Sequence, residues 1–166
     1  MINVFLIYGA GGAKYSAGLE TLANKLEQIP DVVANEPYLF TAGKVIVASI
    51  LKLPKTDKVV LIGHSLGSNT CAWVSRELPD RWFSLLVSYD AGGWFTPSKR
   101  VRGNVAREIN FVGSSWANPI GHGRIRAGMG FGGVIDPVVY TATTHVGIDD
   151  EEELHDLTVK AVKALQ

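Results

Sequence analysis

Short apolar runs alternate along this sequence with segments of helical period, and this alternation restricts the fold more than any other feature. A chain that repeats strand and helix builds a parallel sheet, because each connecting helix returns across one face of the sheet. Runs that are apolar throughout are typical of strands covered on both faces. The sequence predicts six such strands, at residues 4–8, 31–35, 58–62, 82–89, 105–112 and 138–141.

Segments of helical period connect the predicted strands. Helices are expected at residues 16–29, 41–53, 66–78 and 150–165, and a proline follows each of the first three. The two longest connections, residues 90–104 and 113–137, are rich in glycine and aromatic side chains, and long loops of this kind are often functional. We therefore expect one three-layer α/β domain over residues 1–166, with a mostly parallel sheet and helices on both faces.

Composition excludes several classes of protein. The 16 basic and 16 acidic side chains give a formal net charge of zero, so no overall field attracts nucleic acid. Cys71 is the only cysteine and has no internal disulfide partner. No apolar stretch approaches the roughly 20 residues that span a bilayer, and no basic, apolar leader opens the chain. We expect a soluble cytoplasmic protein with no nucleic-acid partner and no membrane insertion, whose oligomeric state the sequence does not indicate.

Residues 63–67, Gly-His-Ser-Leu-Gly, match the pattern G-x-S-x-G. In this pattern the serine occupies a strained turn between a strand and a helix, and the glycines let the two elements approach without a Cβ clash. The predicted strand 58–62 runs directly into the motif, and a helical segment follows it. A plain tight glycine turn is the alternative interpretation.

The segment from Leu61 to Gly67 resembles the nucleophile elbow of α/β-hydrolase esterases, lipases and thioesterases. The resemblance covers most of the chain in architecture, whereas its specific motifs are short. It implies an α/β-hydrolase-like fold in which Ser65 is the nucleophile. It also implies a triad with the chain order serine, acid, histidine.

The loop after the first predicted strand, residues 8–12, reads Tyr-Gly-Ala-Gly-Gly. The family usually has His-Gly and small residues here, so a tyrosine replaces that histidine. By resemblance, the backbone N–H of Ala10, with Gly11 as the alternative, joins the N–H of Leu66 to hold the oxyanion. A plain strand-to-helix turn and a phosphate-binding loop also remain open, although Lys14 stands where the dinucleotide pattern needs its third glycine.

The chain has four histidines. His64 belongs to the glycine-serine motif and is expected to point away from the serine, while His155 lies among acidic residues and is expected to be a solvated surface side chain. His145 stands between the last predicted strand and the final helix, in a segment that resembles the family's catalytic histidine loop. We predict that His145 is the base; His122 as the base, or a non-catalytic His145 in a turn, are the alternatives.

An acid must orient the histidine and stabilise its protonated form. Asp90 follows the strand at residues 82–89, at the edge where ligands of parallel sheets gather. The commoner family position, about residues 114–118, contains no acid, and the placement at Asp90 resembles that in some lipases. Asp90 is therefore the predicted acid, and a turn aspartate is the alternative. Four other carboxylates fit poorly, because they end a helix, lie inside a strand or precede one: Glu77, Asp80, Glu108 and Asp136.

The two long loops carry aromatic side chains that are candidates for an acyl pocket, since such pockets are mainly apolar. The candidates are Trp94, Trp116 and Phe131, with Phe95 and Met129 beside them. Ordinary packing at the rim is the other interpretation. Residues 99–126 also carry an excess of basic side chains, which fits either an anionic substrate or a solvated basic face.

Taken with the resemblance, these residues imply a serine esterase or lipase-like hydrolase that cleaves a carboxylic ester or thioester through an acyl-Ser65 intermediate. Its substrate would be a small-molecule or lipid-like acyl ester, and no metal or organic cofactor is expected. Two other functions stay open. One is a catalytically silent binding module that uses the loop at residues 9–12 for an anion, and the other is an interaction protein that docks a partner through Trp94 and Trp116.

Overall fold

The computed structural model describes residues 1–92, 99–114 and 123–166. No helix within these ranges is long and apolar enough to cross a membrane. The strands they contain are Ile2–Ile7 (β1), Val32–Ala34 (β2), Lys58–His64 (β3), Leu85–Tyr89 (β4), Arg100–Val101 (β5), Arg107–Gly113 (β6), Arg126–Ala127 (β7), Val134–Ile135 (β8) and Val139–Thr141 (β9). The α-helices are Gly18–Glu27 (α1), Gly43–Leu51 (α2), Leu66–Glu77 (α3) and Glu152–Lys163 (α4). Single 3-10 turns lie at Gly12–Tyr15, Phe40–Ala42 and Ile148–Asp150.

The main sheet has the strand order β2-β1-β3-β4-β6-β8, and β9 also pairs with β6. Every pairing between these strands is parallel. His64 stands opposite Tyr89, which in turn stands opposite Phe111. The carboxyl ends of β3, β4 and β6 therefore meet at one edge of the sheet, where the chain continues into Ser65, Asp90 and Ser114.

Side chains of the central strands alternate between two buried clusters. Leu6, Ile62 and Val87 pack in the cluster that includes residues of α1 and α4. Their neighbours in sequence, among them Ile7 and Leu61, pack in the cluster that includes residues of α2 and α3. A strand places successive side chains on opposite faces, so continuous apolar runs need cover on both sides. The prediction of a mostly parallel sheet with helices on both faces is confirmed.

Each of the six predicted strands has a counterpart in the sheet, with bounds shifted by a few residues. The sequence did not predict β5, β7 and β8, because a strand of two residues has no detectable period. Asp136 follows β8 as well as preceding β9, and its carboxylate accepts hydrogen bonds from the Arg107 side chain at 2.5 to 3.2 Å. Asp136 therefore forms an ion pair with Arg107 and does not orient a histidine at Ser65.

The prediction that His155 is a surface side chain is wrong. His155 is 1% exposed, and its Nε2 lies 2.6 Å from the backbone oxygen of Asp149. Acidic neighbours suggested a solvated position. The helical repeat nevertheless puts His155 on the side of α4 that also buries Leu154 and Thr158.

Glu108 is a charged residue type in a fully buried position on β6. It is 0% exposed, and its Oε1 accepts a hydrogen bond from Asn110 Nδ2 at 2.8 Å. Burial raises the pKa of Glu108 from 4.5 to about 7, because removal from water disfavours the charged form. The folded protein therefore holds the proton of Glu108 more tightly than the unfolded chain does.

This difference predicts how Glu108→Gln changes the pH dependence of stability. A raised carboxyl pKa stabilises the fold fully below pH 4.5, and the contribution is lost as pH rises through about 7. Glutamine does not ionise. The free energy of unfolding of Glu108→Gln, measured relative to that of wild type, should therefore rise across this pH interval by up to about 3 kcal/mol and then level off. Urea unfolding of both proteins at a series of pH values measures the difference. A difference that does not change with pH would contradict a buried, protonated Glu108.

Candidate active site

Ser65 occupies the turn between β3 and α3 with a backbone conformation that side chains rarely adopt. Its φ is 52° and its ψ is −120°. A backbone conformation of this kind costs on the order of 1 to 3 kcal/mol of folding free energy, and it persists only where the surrounding structure fixes it. Here the Ser65 N–H donates to the Tyr89 oxygen at 2.9 Å, and the Ser68 N–H donates to the Ser65 oxygen at 3.1 Å. The turn is thus attached to both β4 and α3.

Close contact between β3, α3 and β1 explains the two glycines of the motif. A Cβ at Gly63 would lie 2.4 Å from Ser68 N, and a Cβ at Gly67 would lie 2.1 Å from Ile7 O. Both distances are far below normal contact with backbone atoms that cannot move independently. Any side chain at either position would push α3 away from the sheet.

His145 connects Ser65 to Asp90. Its Nε2 lies 2.7 Å from Ser65 Oγ, and its Nδ1 lies 2.9 Å from Asp90 Oδ2. The exposed fractions are 6% for Ser65, 7% for His145 and 0% for Asp90. A carboxylate only accepts hydrogen bonds, so Nδ1 donates to Asp90 and Nε2 of the neutral ring accepts from Ser65 Oγ–H. The structure brings together the three residues that the sequence singled out as nucleophile, base and acid.

Backbone atoms hold Asp90 in place at the end of β4. The Asp90 N–H donates to the Phe111 oxygen at 2.8 Å, and its φ is 46°. The turn brings the carboxylate to His145 Nδ1 and close to Gly113, where an added Cβ would lie 3.4 Å from Asp90 Oδ2. The next strand therefore passes close to the carboxylate without filling its space.

Two more glycines leave room around the Ser65 hydroxyl. A Cβ at Gly92 would lie 2.6 Å from Ser65 Oγ and 3.0 Å from Leu66 N. A Cβ at Gly9 would lie 2.8 Å from Ser65 Cβ. Leu66 is the first residue of α3, where backbone N–H groups have no acceptor within the helix. The space beside Gly92 thus adjoins both the hydroxyl and the first N–H of α3, and Gly9, which precedes Ala10, lies against Ser65.

A second histidine supports the loop that carries His145. His64 is 2% exposed, and its Nε2 lies 2.7 Å from the backbone oxygen of His145. Because a carbonyl only accepts, Nε2 holds the proton, and Nδ1 accepts from Ser16 Oγ at 2.7 Å. Ser16 Oγ in turn accepts from the Gly9 N–H at 3.2 Å. One chain of hydrogen bonds therefore joins the loop after β1 to the loop of His145.

Burial governs the charge of His64 and of its neighbour Asp149. Burial, with the nearby His145, lowers the pKa of His64 from 6.5 to about 4. Asp149 Oδ1 lies 3.6 Å from His64 Nδ1, and burial raises the pKa of Asp149 to about 7. Sequence reasoning missed Ser16, which stands in no motif, and it noted only that His64 points away from Ser65.

Several candidates from the sequence lie outside the described residues, namely Trp94, Trp116 and His122. Phe131 is half-buried against the cluster on the α2 and α3 face, and Met129 is 97% exposed. In the ranges that the structure does describe, no three His, Cys, Asp or Glu side chains converge in a way that could hold a metal ion.

Comparison with known proteins identifies the fold. No protein-family model matches the sequence, and no curated protein matches it at a significant level. Among solved structures, human thioesterase 2 is similar with a TM-score of 0.66 at 12% identity, over 98% of this chain and 96% of that one. ClbQ from the colibactin NRPS/PKS pathway has a TM-score of 0.59 at 10% identity, over 99% and 98% of the two chains. The chain has the α/β-hydrolase fold that the sequence predicted.

The neutral state of His64 can be measured directly. In a two-dimensional NMR titration, we expect the His64 ring signals to move with a midpoint near pH 4, because the pKa is lowered to about that value. Its nitrogen shifts should indicate a proton on Nε2 throughout the neutral range. His64→Asn assigns the signal by its disappearance. A midpoint near the usual value of about 6.5 would show that His64 is solvated or paired with a charge.

Proposed function

We propose that this protein is a serine hydrolase that cleaves a carboxylic ester or thioester through an acyl-Ser65 intermediate. The observation that carries the proposal is the pair of hydrogen bonds from Ser65 Oγ to His145 Nε2 and from His145 Nδ1 to Asp90 Oδ2, at 2.7 and 2.9 Å. A hydroxyl held by a neutral imidazole that a buried carboxylate orients is the arrangement that activates serine. The shared fold with a protein named as a thioesterase agrees with this chemistry.

Acylation follows from these contacts. Ser65 Oγ attacks the substrate carbonyl carbon while His145 Nε2 takes the hydroxyl proton. The imidazolium that forms carries its charge beside the carboxylate of Asp90, which stabilises it. When the tetrahedral intermediate collapses, the bond from carbon to the leaving oxygen or sulfur breaks. The leaving group then receives the proton from His145 Nε2, and the acyl group remains on Ser65.

Deacylation repeats the sequence with water. His145 removes a proton from a water molecule as the water attacks the acyl carbon, and the proton then passes to Ser65 Oγ as the ester bond breaks. The products are a carboxylic acid and the free serine. Both halves of the reaction use the same two hydrogen bonds.

The negative oxygen of each tetrahedral intermediate needs donors. The N–H of Leu66 is one, because it faces the space beside Gly92 at the start of α3. We assign the second donor to the N–H of Ala10, in the loop whose Gly9 lies against Ser65. Removal of one such donor typically costs about 100-fold to 1,000-fold in kcat.

Ser65→Ala should lower the hydrolysis of a p-nitrophenyl ester by at least about 10⁴-fold, because no nucleophile remains. The temperature of unfolding should stay within a few degrees of wild type, since the backbone contacts of the turn do not involve the hydroxyl. Ser84→Ala, at the opposite end of β4 where its N–H bonds to Val59, is the control and should keep full activity. Near-normal hydrolysis by Ser65→Ala would contradict the proposal.

Asp90→Asn should lower kcat by about 10⁴-fold while the variant remains folded. An amide can hold the ring but favours the wrong tautomer and supplies no charge for the imidazolium. Steady-state kinetics with the same ester measures the loss, and circular dichroism checks the fold. A loss below about tenfold would assign the orienting role to another group.

Gly92→Ala should lower kcat by about 100-fold or more, because the added methyl would lie 2.6 Å from Ser65 Oγ and 3.0 Å from Leu66 N. Gly132→Ala is a matched control, since a Cβ there has no atom within 4 Å among the described residues. The control should behave as wild type in the same assay. Equal activity of both variants would mean that the space beside Gly92 is not where the substrate carbonyl binds.

A further inference from the structure

A cavity of about 530 Å³ opens next to the proposed nucleophile, between the segment 40–45 and helix α3. Its volume is in the range of small-molecule sites. Its wall begins at Leu66, directly after Ser65, and continues to Asn69 one turn later. Asn69 Nδ2 donates to the Gly92 oxygen at 2.7 Å, so the wall is joined to the residue that faces Ser65 Oγ. The remaining lining residues are Phe40, Thr41, Gly43, Lys44, Val45, Thr70 and Trp73.

The wall of this cavity is mainly apolar. Phe40, Leu66 and Trp73 supply large apolar surfaces. Thr70 lines it too, but its hydroxyl donates to the Phe40 oxygen at 2.7 Å. Lys44 is exposed on the rim. A polar ligand group would lose its hydrogen bonds to water here and find few partners in the wall, which costs free energy. An aliphatic chain has no hydrogen bonds to lose.

One apolar side chain among the described lining residues is exposed: Val45, at 57%. Leu39, next to Phe40 in sequence, is 55% exposed and lies beside Gly12 in the loop after β1. At Gly43, an added Cβ would lie 2.7 Å from the Trp73 ring, so the glycine lets that ring lie flush against α2. A neighbouring set of exposed and half-buried apolar surfaces is typical of a binding site.

The position of His145 decides which part of an ester the cavity faces. The loop of His145 lies on the α1 side of the sheet, because His64 Nε2 lies 2.7 Å from the His145 backbone oxygen and His64 Nδ1 lies 2.7 Å from Ser16 Oγ, just before α1. The leaving group takes its proton from His145 Nε2 and must therefore depart on that side. The cavity lies on the opposite side, between α2 and α3. We propose that the cavity between Phe40–Ala42, α2 and α3 is the acyl-chain subsite, specific for an uncharged aliphatic acyl group of several methylenes; this rests on the proposed function.

Val45→Trp tests the assignment through substrate preference. The measured quantity is the ratio of kcat/KM for p-nitrophenyl octanoate to that for p-nitrophenyl acetate. An indole at the mouth should lower this ratio at least about tenfold, because each methylene in an apolar pocket contributes about tenfold or more to discrimination. Leu51→Trp is the control: it lies on the same helix, is 69% exposed and does not line the cavity. Its ratio should equal that of wild type.

A second pair of esters separates the two sides of the site. Methyl octanoate has a long acyl group, whereas octyl acetate has a long alcohol. Val45→Trp should impair hydrolysis of methyl octanoate more than that of octyl acetate. The reverse order would assign the cavity to the leaving group, and an unchanged ratio in both pairs would exclude it from substrate binding. Either result overturns the acyl-subsite proposal while leaving the proposed serine chemistry intact.

Binding can be tested without turnover. Sodium octanoate should alter the tryptophan fluorescence of Ser65→Ala, and the change should shrink in Ser65→Ala with Trp73→Phe, because Trp73 lines the cavity. Sodium acetate is the control probe and should produce no comparable change. An octanoate response that is unaffected by Trp73→Phe overturns the proposal. Failure of the proposed function would appear differently, as a wild type that hydrolyses no ester of either series.

Discussion

The parallel register of β3, β4 and β6 is the constraint on which the candidate site depends. The ladder of backbone hydrogen bonds does not stop at the strand ends: Ser65 N–H bonds to the Tyr89 oxygen, and Asp90 N–H bonds to the Phe111 oxygen. Each turn is therefore fixed by the strand beside it. Both residues adopt a positive φ that would be unfavourable in a free chain. The sheet thus places a hydroxyl and a carboxylate on either side of the space that His145 enters.

Histidines occupy two distinct roles at this edge. His145 bridges Ser65 and Asp90. His64 is buried, and its Nε2 donates a hydrogen bond to the backbone oxygen of His145. Burial lowers the pKa of His64 to about 4, so the ring stays neutral and keeps one donor and one acceptor. A neutral partner suits the proposed mechanism, in which His145 takes the serine proton, because a second positive ring nearby would oppose the charge on His145.

The sequence predicted the fold and the meeting of Ser65, Asp90 and His145 because all three follow strands, and parallel strands end at a shared edge. It did not predict the burial of His155 or the contacts of Ser16 with His64 and Gly9. The contact of Ser16 with His64 joins segments 48 residues apart, and no local period encodes it. The aromatic candidates Trp94 and Trp116 lie outside the described residues, so their place in an acyl pocket stays a prediction, and the sequence did not single out Phe40 and Trp73, which line the cavity beside Ser65. Periodicity alone cannot separate a helical aromatic that lines a cavity from one that completes the core.

Covalent labelling tests the central claim most directly, because it reports on the reactivity of one oxygen atom. A fluorophosphonate reacts with a serine that a neighbouring base has activated: the serine oxygen bonds to phosphorus, fluoride leaves, and a phosphonate ester remains. Incubation of the native protein, followed by intact-mass and peptide analysis, should find one adduct per chain, on Ser65. Heat-unfolded protein and Ser65→Ala should take up none. The absence of an adduct on the native protein, or an adduct on another serine, would contradict the assignment of Ser65 as the nucleophile.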